Sequence, residues 1–165
     1  RRNLALEPLI HGGESTTIYR SGTPTVALAS SLACALDLAV TDLPGRVDHV
    51  AKLNAELRAA LSTYPLVRIN SPEGAVPQIL NLSVQNVKGT VFQRELDAEG
   101  VCVSVKSACS SDGLPSKAVF AVSRDRRNAL SSWRISISHL TTDAEIDGFL
   151  QAFDTCYKTL TNKEN

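Results

Sequence analysis

The run Leu66-Val67-Arg68-Ile69-Asn70, the turn Ser71-Pro72-Glu73-Gly74 and the run Gln78-Ile79-Leu80-Asn81-Leu82-Ser83-Val84 decide the fold class. In both runs apolar and polar side chains alternate, the period of a strand with one face on a core, and the Pro/Gly segment between them breaks the chain into a turn. Towards the C-terminus, Gly89-Thr90 opens a short helix with Val91, Phe92 and Leu96 on one side, and Glu99-Gly100 ends it. Val101-Cys102-Val103-Ser104-Val105 and Trp133-Arg134-Ile135-Ser136-Ile137 read as two further strands. Thr142-Asp143-Ala144-Glu145 is a capping box, and the helix it opens carries Ile146, Phe149, Phe153, Cys156 and Leu160 on one face. Towards the N-terminus, Leu28, Leu32, Leu36 and Val40, then Val47, Val50, Leu53, Leu57 and Leu61, repeat at helical spacing on either side of Pro44-Gly45. Thr23 ahead of Pro24 suits an N-cap followed by a first-turn proline. The class is therefore α+β, a small antiparallel or mixed sheet covered by helices. Three segments follow: a loop over 1–23, a helical spine over 24–63, and a small α+β domain over 64–165.

Composition sets the outer bounds. A chain of 165 residues, 43% apolar and 21% charged, reads as a soluble globular protein large enough to bury a core without staples. Lys and Arg, 17 together, balance 17 Asp and Glu, so no overall field draws the chain to nucleic acid or to an anionic membrane. No apolar run approaches the roughly 18 residues of a spanning helix, and no secretory pattern opens the sequence. Cys34, Cys102, Cys109 and Cys156 form no C-x-x-C pair, which argues against an all-cysteine zinc site and for free thiols in a reducing cytoplasm. The chain contains no Met and begins Arg1-Arg2-Asn3, as expected of a processed chain or a piece of a longer one. In the latter case the apolar face that meets the remainder is expected to be exposed.

The chemistry concentrates in Lys106-Ser107-Ala108-Cys109-Ser110-Ser111-Asp112-Gly113-Leu114-Pro115-Ser116. Here Cys109 follows a strand among small and polar residues, near the cation Lys106 and beside hydroxyls able to bond a thiolate. That is the setting of a reactive thiol, and also of a surface cysteine without a role. Cys34, Cys102 and Cys156 lie in apolar periodic segments and read as small core hydrophobes. Arg134, taken alone, is an ordinary strand arginine, and His49 and His139 read as surface residues.

The order Leu9-Ile10-His11-Gly12-Gly13, Arg20-Ser21-Gly22-Thr23, Ile79-Leu80-Asn81-Leu82-Ser83, Ser107-Ala108-Cys109-Ser110-Ser111, Ser131-Ser132-Trp133-Arg134-Ile135-Ser136 and Thr141-Thr142-Asp143-Ala144-Glu145-Ile146-Asp147 closely resembles the cysteine desulfurases. These are enzymes of the class V aminotransferase group, pyridoxal-phosphate (PLP) dependent and of fold type I. The resemblance runs from about Leu9 to Phe153 and matches the C-terminal part of such an enzyme. It implies a fold like the C-terminal domain of fold type I transferases, and a reaction in which a loop thiolate takes sulfur from L-cysteine to leave a persulfide and alanine. Cys109 matches the nucleophile and Arg134 the arginine that grips the substrate carboxylate. Thr23 matches the residue that reaches the PLP phosphate of the neighbouring subunit, its loop shaped by Arg20, Ser21 and Gly22. His11 matches a nearby position with no assigned role. The implied partners are a homodimer mate and a sulfur acceptor, such as an iron–sulfur scaffold or a tRNA-thiolation protein.

The family's Schiff-base lysine, pyridine-nitrogen aspartate and ring-stacking histidine are expected upstream of Arg1. The chain alone is therefore expected to bind no PLP and to be inactive. Three positions depart from the family pattern: Glu14 stands where a third glycine is usual, Lys106 where a glycine precedes Ser-Ala-Cys, and Ser138 where a glycine follows the arginine strand. Two other functions fit the same residues: a class V aminotransferase-like enzyme without sulfur chemistry, and a non-catalytic module contributing a thiol or dimer contacts.

Overall fold

The computed structural model describes residues 4, 6–13, 17, 19–106 and 114–162. The chain divides into two compact units, Arg1–Leu43 and Pro44–Asn165.

In the first unit a loop leads into α1 (Val26–Thr41). The N-cap is Thr25 rather than Thr23, and its side chain makes no capping hydrogen bond, although its carbonyl accepts Ala29 N at 3.1 Å. Thr-Pro-Thr offers two registers for a helix start, and periodicity downstream does not choose between them. None of α1 is buried. Leu28 is 69% exposed and Leu32 70%, so the apolar stripe of this helix is present but uncovered. Cys34, expected in a core, is exposed for the same reason.

The second unit holds α2 (Leu43–Leu61), β1 (Val67–Ile69), β2 (Ile79–Val84), α3 (Gly89–Ala98), α4 (Lys117–Ser123), α5 (Arg126–Ser131), β3 (Ser132–Ser136) and α6 (Asp143–Thr161). The three strands form an antiparallel sheet in the order β1-β2-β3. Alternation assigns the faces. Val67, Ile69, Leu80, Leu82, Val84, Trp133 and Ile135 turn to the core, where they meet Leu53, Leu57 and Leu61 of α2, Phe92 and Leu96 of α3, and Ile146, Phe149 and Phe153 of α6. Trp133 stacks on Phe92 at 5.1 Å, and Phe153 meets Tyr64 edge-on at 5.0 Å. The opposite face carries Arg68, Asn81, Ser83, Ser132 and Arg134.

Two helix ends follow from local sequence. Thr142 Oγ1 accepts Glu145 N while the Glu145 carboxylate accepts Thr142 N at 2.8 Å, the reciprocal bonds of the capping box. The Thr142 N–H, and after it the Thr142 hydroxyl that donates to the same carboxylate at 3.0 Å, hold the Glu145 carboxyl below its ordinary value. Gly89 begins α3 so close to β3 that a Cβ there would lie 2.5 Å from the Ser132 carbonyl oxygen, a backbone atom with little room to retreat. Gly89→Ala is therefore expected to destabilise the fold by about 1–3 kcal/mol, read as a lower urea midpoint at unchanged slope. An unchanged midpoint would show that the α3–β3 approach relaxes freely.

Residues 101–105 are not a strand. Only Ser104 pairs, as an isolated bridge to Arg134. The neighbouring backbone groups are spent on α3 instead: Val101 N bonds Leu96 O at 2.8 Å, and Val103 O accepts Gln93 Nε2 at 2.8 Å. Cys102 is exposed, not a core residue. The helices α4 and α5, absent from the sequence reading, are each announced by a capping side chain. Ser116 Oγ accepts Val119 N, and Asp125 Oδ1 accepts Arg127 N and Asn128 N.

Candidate active site

On the polar face of the sheet lies an open cleft of about 720 Å³. Its floor is Asn81 and Arg134, direct cross-strand partners on β2 and β3. Its walls are Asn70, Ser71 and Pro72 on one side and Ser104, Ser116 and Lys117 on the other. Among the described residues that line it, Arg68, Lys106, Lys117 and Arg134 are cationic and none is a carboxylate, with Asp125 pairing Arg68 from outside the lining at 3.6 Å, a charge set that favours an anion.

Arg134 is held from two directions. Its N–H donates to Ser104 O at 2.7 Å and its carbonyl accepts Ser104 N at 3.1 Å, while β2 lies on the other side with Asn81 opposite. The side chain is half-buried, and its Nε is buried without a hydrogen-bond partner among the described residues. A buried guanidinium nitrogen left unpaired is costly, and a ligand carboxylate is the natural acceptor for it.

A carboxamide network lines up the floor. Asn70 Nδ2 donates to Asn81 Oδ1 at 2.9 Å and to Ser83 Oγ at 2.8 Å. Asn128 Nδ2 donates to Asn70 Oδ1 at 2.9 Å, and Ser83 Oγ donates to Asn128 O at 3.0 Å. This network ties the residue after β1 to β2 and α5 at the cleft. Asn70 and Asn128 carried no functional signal in the sequence. Asn81 had one, since the polar phase of β2 is also the phase of Arg134.

The other nominated residues fall elsewhere. Cys109, with Ser107 to Gly113 around it, lies outside the described residues. The described flanks of that segment are anchored at the cleft: Ser104 bridges Arg134, and Ser116 N bonds Ala129 O at 3.1 Å. In the first unit, Thr23 is exposed after Gly22, whose φ of +103° is open to glycine at little cost. Arg20 folds back on its own loop, donating to Gly22 O at 2.7 Å, and Ser21 N donates to Ile10 O at 3.1 Å. These bonds shape the Thr23 loop and join it to the segment of His11. His49, read as a surface residue, is half-buried with Nε2 2.8 Å from Thr141 O.

Cys156 is buried, as expected, and burial, followed by the nearby Glu99 and Glu95 carboxylates, pushes its thiol up to about 11. A thiol that stays protonated is inert as a nucleophile. At pH 8 an alkylating reagent is expected to label Cys34 and Cys102 in the folded protein and spare Cys156, as read by peptide mass mapping. Above about pH 9 the unfolded thiol ionises while the folded one does not, so this group's contribution to stability falls as pH rises. Labelling of Cys156 at the rate of the exposed cysteines would contradict the packing of α6.

Residues 9–149 match the model of the family described as aminotransferase class-V. The chain belongs to that family. Its class-V relatives include the cysteine desulfurase IscS of Dictyoglomus turgidum, 29% identical over 163 residues, which span 97% of this chain and 41% of the relative. A probable mitochondrial cysteine desulfurase of Schizosaccharomyces pombe is 32% identical over 149 residues, 89% of this chain and 29% of the relative. The solved structure of a NifS-like protein from Rickettsia africae superimposes with a TM-score of 0.77 at 27% identity, covering 94% of this chain and 41% of that one. The class-V chain described here thus spans about two fifths or less of the length of these relatives.

Proposed function

We propose that this chain is the part of a PLP-dependent cysteine desulfurase that supplies the sulfur-accepting thiol, Cys109, and the arginine that holds the substrate carboxylate, Arg134. The observation that carries the reading is the placement of Arg134: it lines a cleft rich in cations, its Nε is buried and unpartnered among the described residues, and its main chain is bridged to Ser104. Ser104 lies five residues before Cys109, a contour of at most roughly 18 Å. One anchor therefore serves both the carboxylate grip and the root of the thiol-bearing segment.

PLP, when bound, supplies the electron sink that weakens the bonds of the amino-acid substrate. Thr23 suits a phosphate oxygen of that group, being an exposed hydroxyl after a glycine in the left-handed region, on a loop braced by Arg20 and Ser21. Arg134 orients the substrate by its carboxylate. The Cys109 thiolate attacks the substrate sulfur, the sulfur–carbon bond breaks with its electron pair going to carbon, and protonation of that carbon releases alanine. The proton balance is one thiol and one cysteine in, one persulfide and one alanine out. A homodimer mate, a protein sulfur acceptor and a cytoplasmic setting complete the reading.

The test is to incubate the intact protein with PLP and L-cysteine, measure alanine, and locate a persulfide by mass spectrometry. Alanine in step with a persulfide on Cys109 is the expected result. A keto acid without alanine or persulfide would replace this reading with transamination.

A further inference from the structure

Arg58, on α2, is not among the residues lining the cleft, yet both terminal nitrogens of its guanidinium bond the cleft's rim. Its Nε donates to Asn54 Oδ1 at 2.7 Å, one terminal nitrogen to Ser71 O at 3.0 Å, and the other to Pro72 O at 3.2 Å. Asn54, itself buried, donates from Nδ2 to Pro77 O at 2.8 Å. Two residues one helical turn apart thus clamp both ends of the β1–β2 connection.

The clamp continues to the site. Ser71 Oγ accepts Asn81 N at 2.9 Å, and Ser71 N donates to Asn81 O at 3.2 Å. Asn81 is the cross-strand partner of Arg134. A chain of bonds therefore runs from Arg58 through Ser71 to Asn81, which stands directly opposite Arg134 across the β2–β3 pair, and Ser71 and Pro72 themselves line the cleft. The geometry points to Arg58 as a positioning residue that sets the affinity of the cleft for the carboxylate of its amino-acid substrate.

The inference rests on the reading of Arg134 as the carboxylate arginine. Arg58 touches no reacting atom, so its effect falls on binding and not on chemistry. A planar fork is required because three acceptors are met at once; a lysine reaches one or two of them.

The experiment compares wild type, Arg58→Ala and Arg58→Lys in the intact protein with PLP. Its readouts are KM and kcat for L-cysteine, the dissociation constant of L-alanine, and amide hydrogen exchange at Ser71 and Asn81. Arg58→Ala is expected to raise KM and the L-alanine constant about tenfold with kcat within about twofold. The Ser71 and Asn81 amides are expected to exchange faster, and Arg58→Lys to fall between; should Arg58→Ala fail to fold, the lysine variant decides. Unchanged exchange at Ser71 and Asn81 overturns the clamp. Faster exchange with unchanged affinity, or a fall confined to kcat, overturns its role in binding. Wild-type protein that binds L-alanine but releases none from L-cysteine refutes desulfuration while the L-alanine constants still judge Arg58. Binding of neither amino acid by the wild type overturns both.

Discussion

Cys109→Ala is expected to abolish persulfide formation and to lower alanine release from L-cysteine by at least about 10³-fold, the scale on which loss of a covalent nucleophile is felt. The reason is chemical. Among the described cysteines, Cys156 is buried and held protonated, and neither Cys34 nor Cys102 is among the residues lining the cleft. Cys109→Ser keeps the size and polarity of the side chain and is expected to be equally inactive, because a hydroxyl neither ionises near neutrality nor forms a persulfide. Thermal unfolding of either variant should match the wild type. The measurement is alanine release together with sulfur bound to the protein. Alanine release at the wild-type rate in Cys109→Ala would remove the nucleophile from this chain and return Cys109 to a surface cysteine.

Arg134→Ala carries the second large effect. Loss of a charged, forked donor to a carboxylate costs about 2–3 kcal/mol, so kcat/KM for L-cysteine is expected to fall roughly 30- to 160-fold, chiefly through KM. Arg134→Lys keeps the charge but not the fork and should recover only part of the loss. The ordinary backbone of β3 and its bridge to Ser104 do not depend on the side chain, so the fold is expected to survive. Discrimination sharpens the test. An amine lacking the carboxylate should be bound equally by wild type and variant, whereas L-cysteine should not. Equal kcat/KM for L-cysteine in both proteins would show that the buried Nε faces no substrate.

The helices and the sheet were legible where local chemistry is decisive. Thr142 and Glu145 cap α6 because their reciprocal bonds involve only four consecutive residues. The alternation of Ile79 to Val84 was a strand because Leu80, Leu82 and Val84 need a core and Asn81 does not. Val101 to Val105 had the same alternation and is not a strand, because α3 had already claimed its backbone groups through Leu96 and Gln93. Similarly, α1 has the period of a packed helix and none of its residues is buried, since a stripe of leucines states a preference for cover without supplying it.

Sequence alone determined the identity of the groups: one thiol among hydroxyls, one arginine in a strand, and an order of motifs shared with cysteine desulfurases. Only tertiary structure decided that Arg134 keeps a buried nitrogen without a partner among the described residues, that Ser104 bridges it, and that Arg58, 76 residues away in sequence, braces the same cleft. The division has a physical cause. Periodicity reports which side of an element a residue takes, because that is fixed by bond geometry within a few residues. Which backbone group meets which guanidinium is settled by competition among all the acceptors that folding brings together, and no local pattern records the outcome.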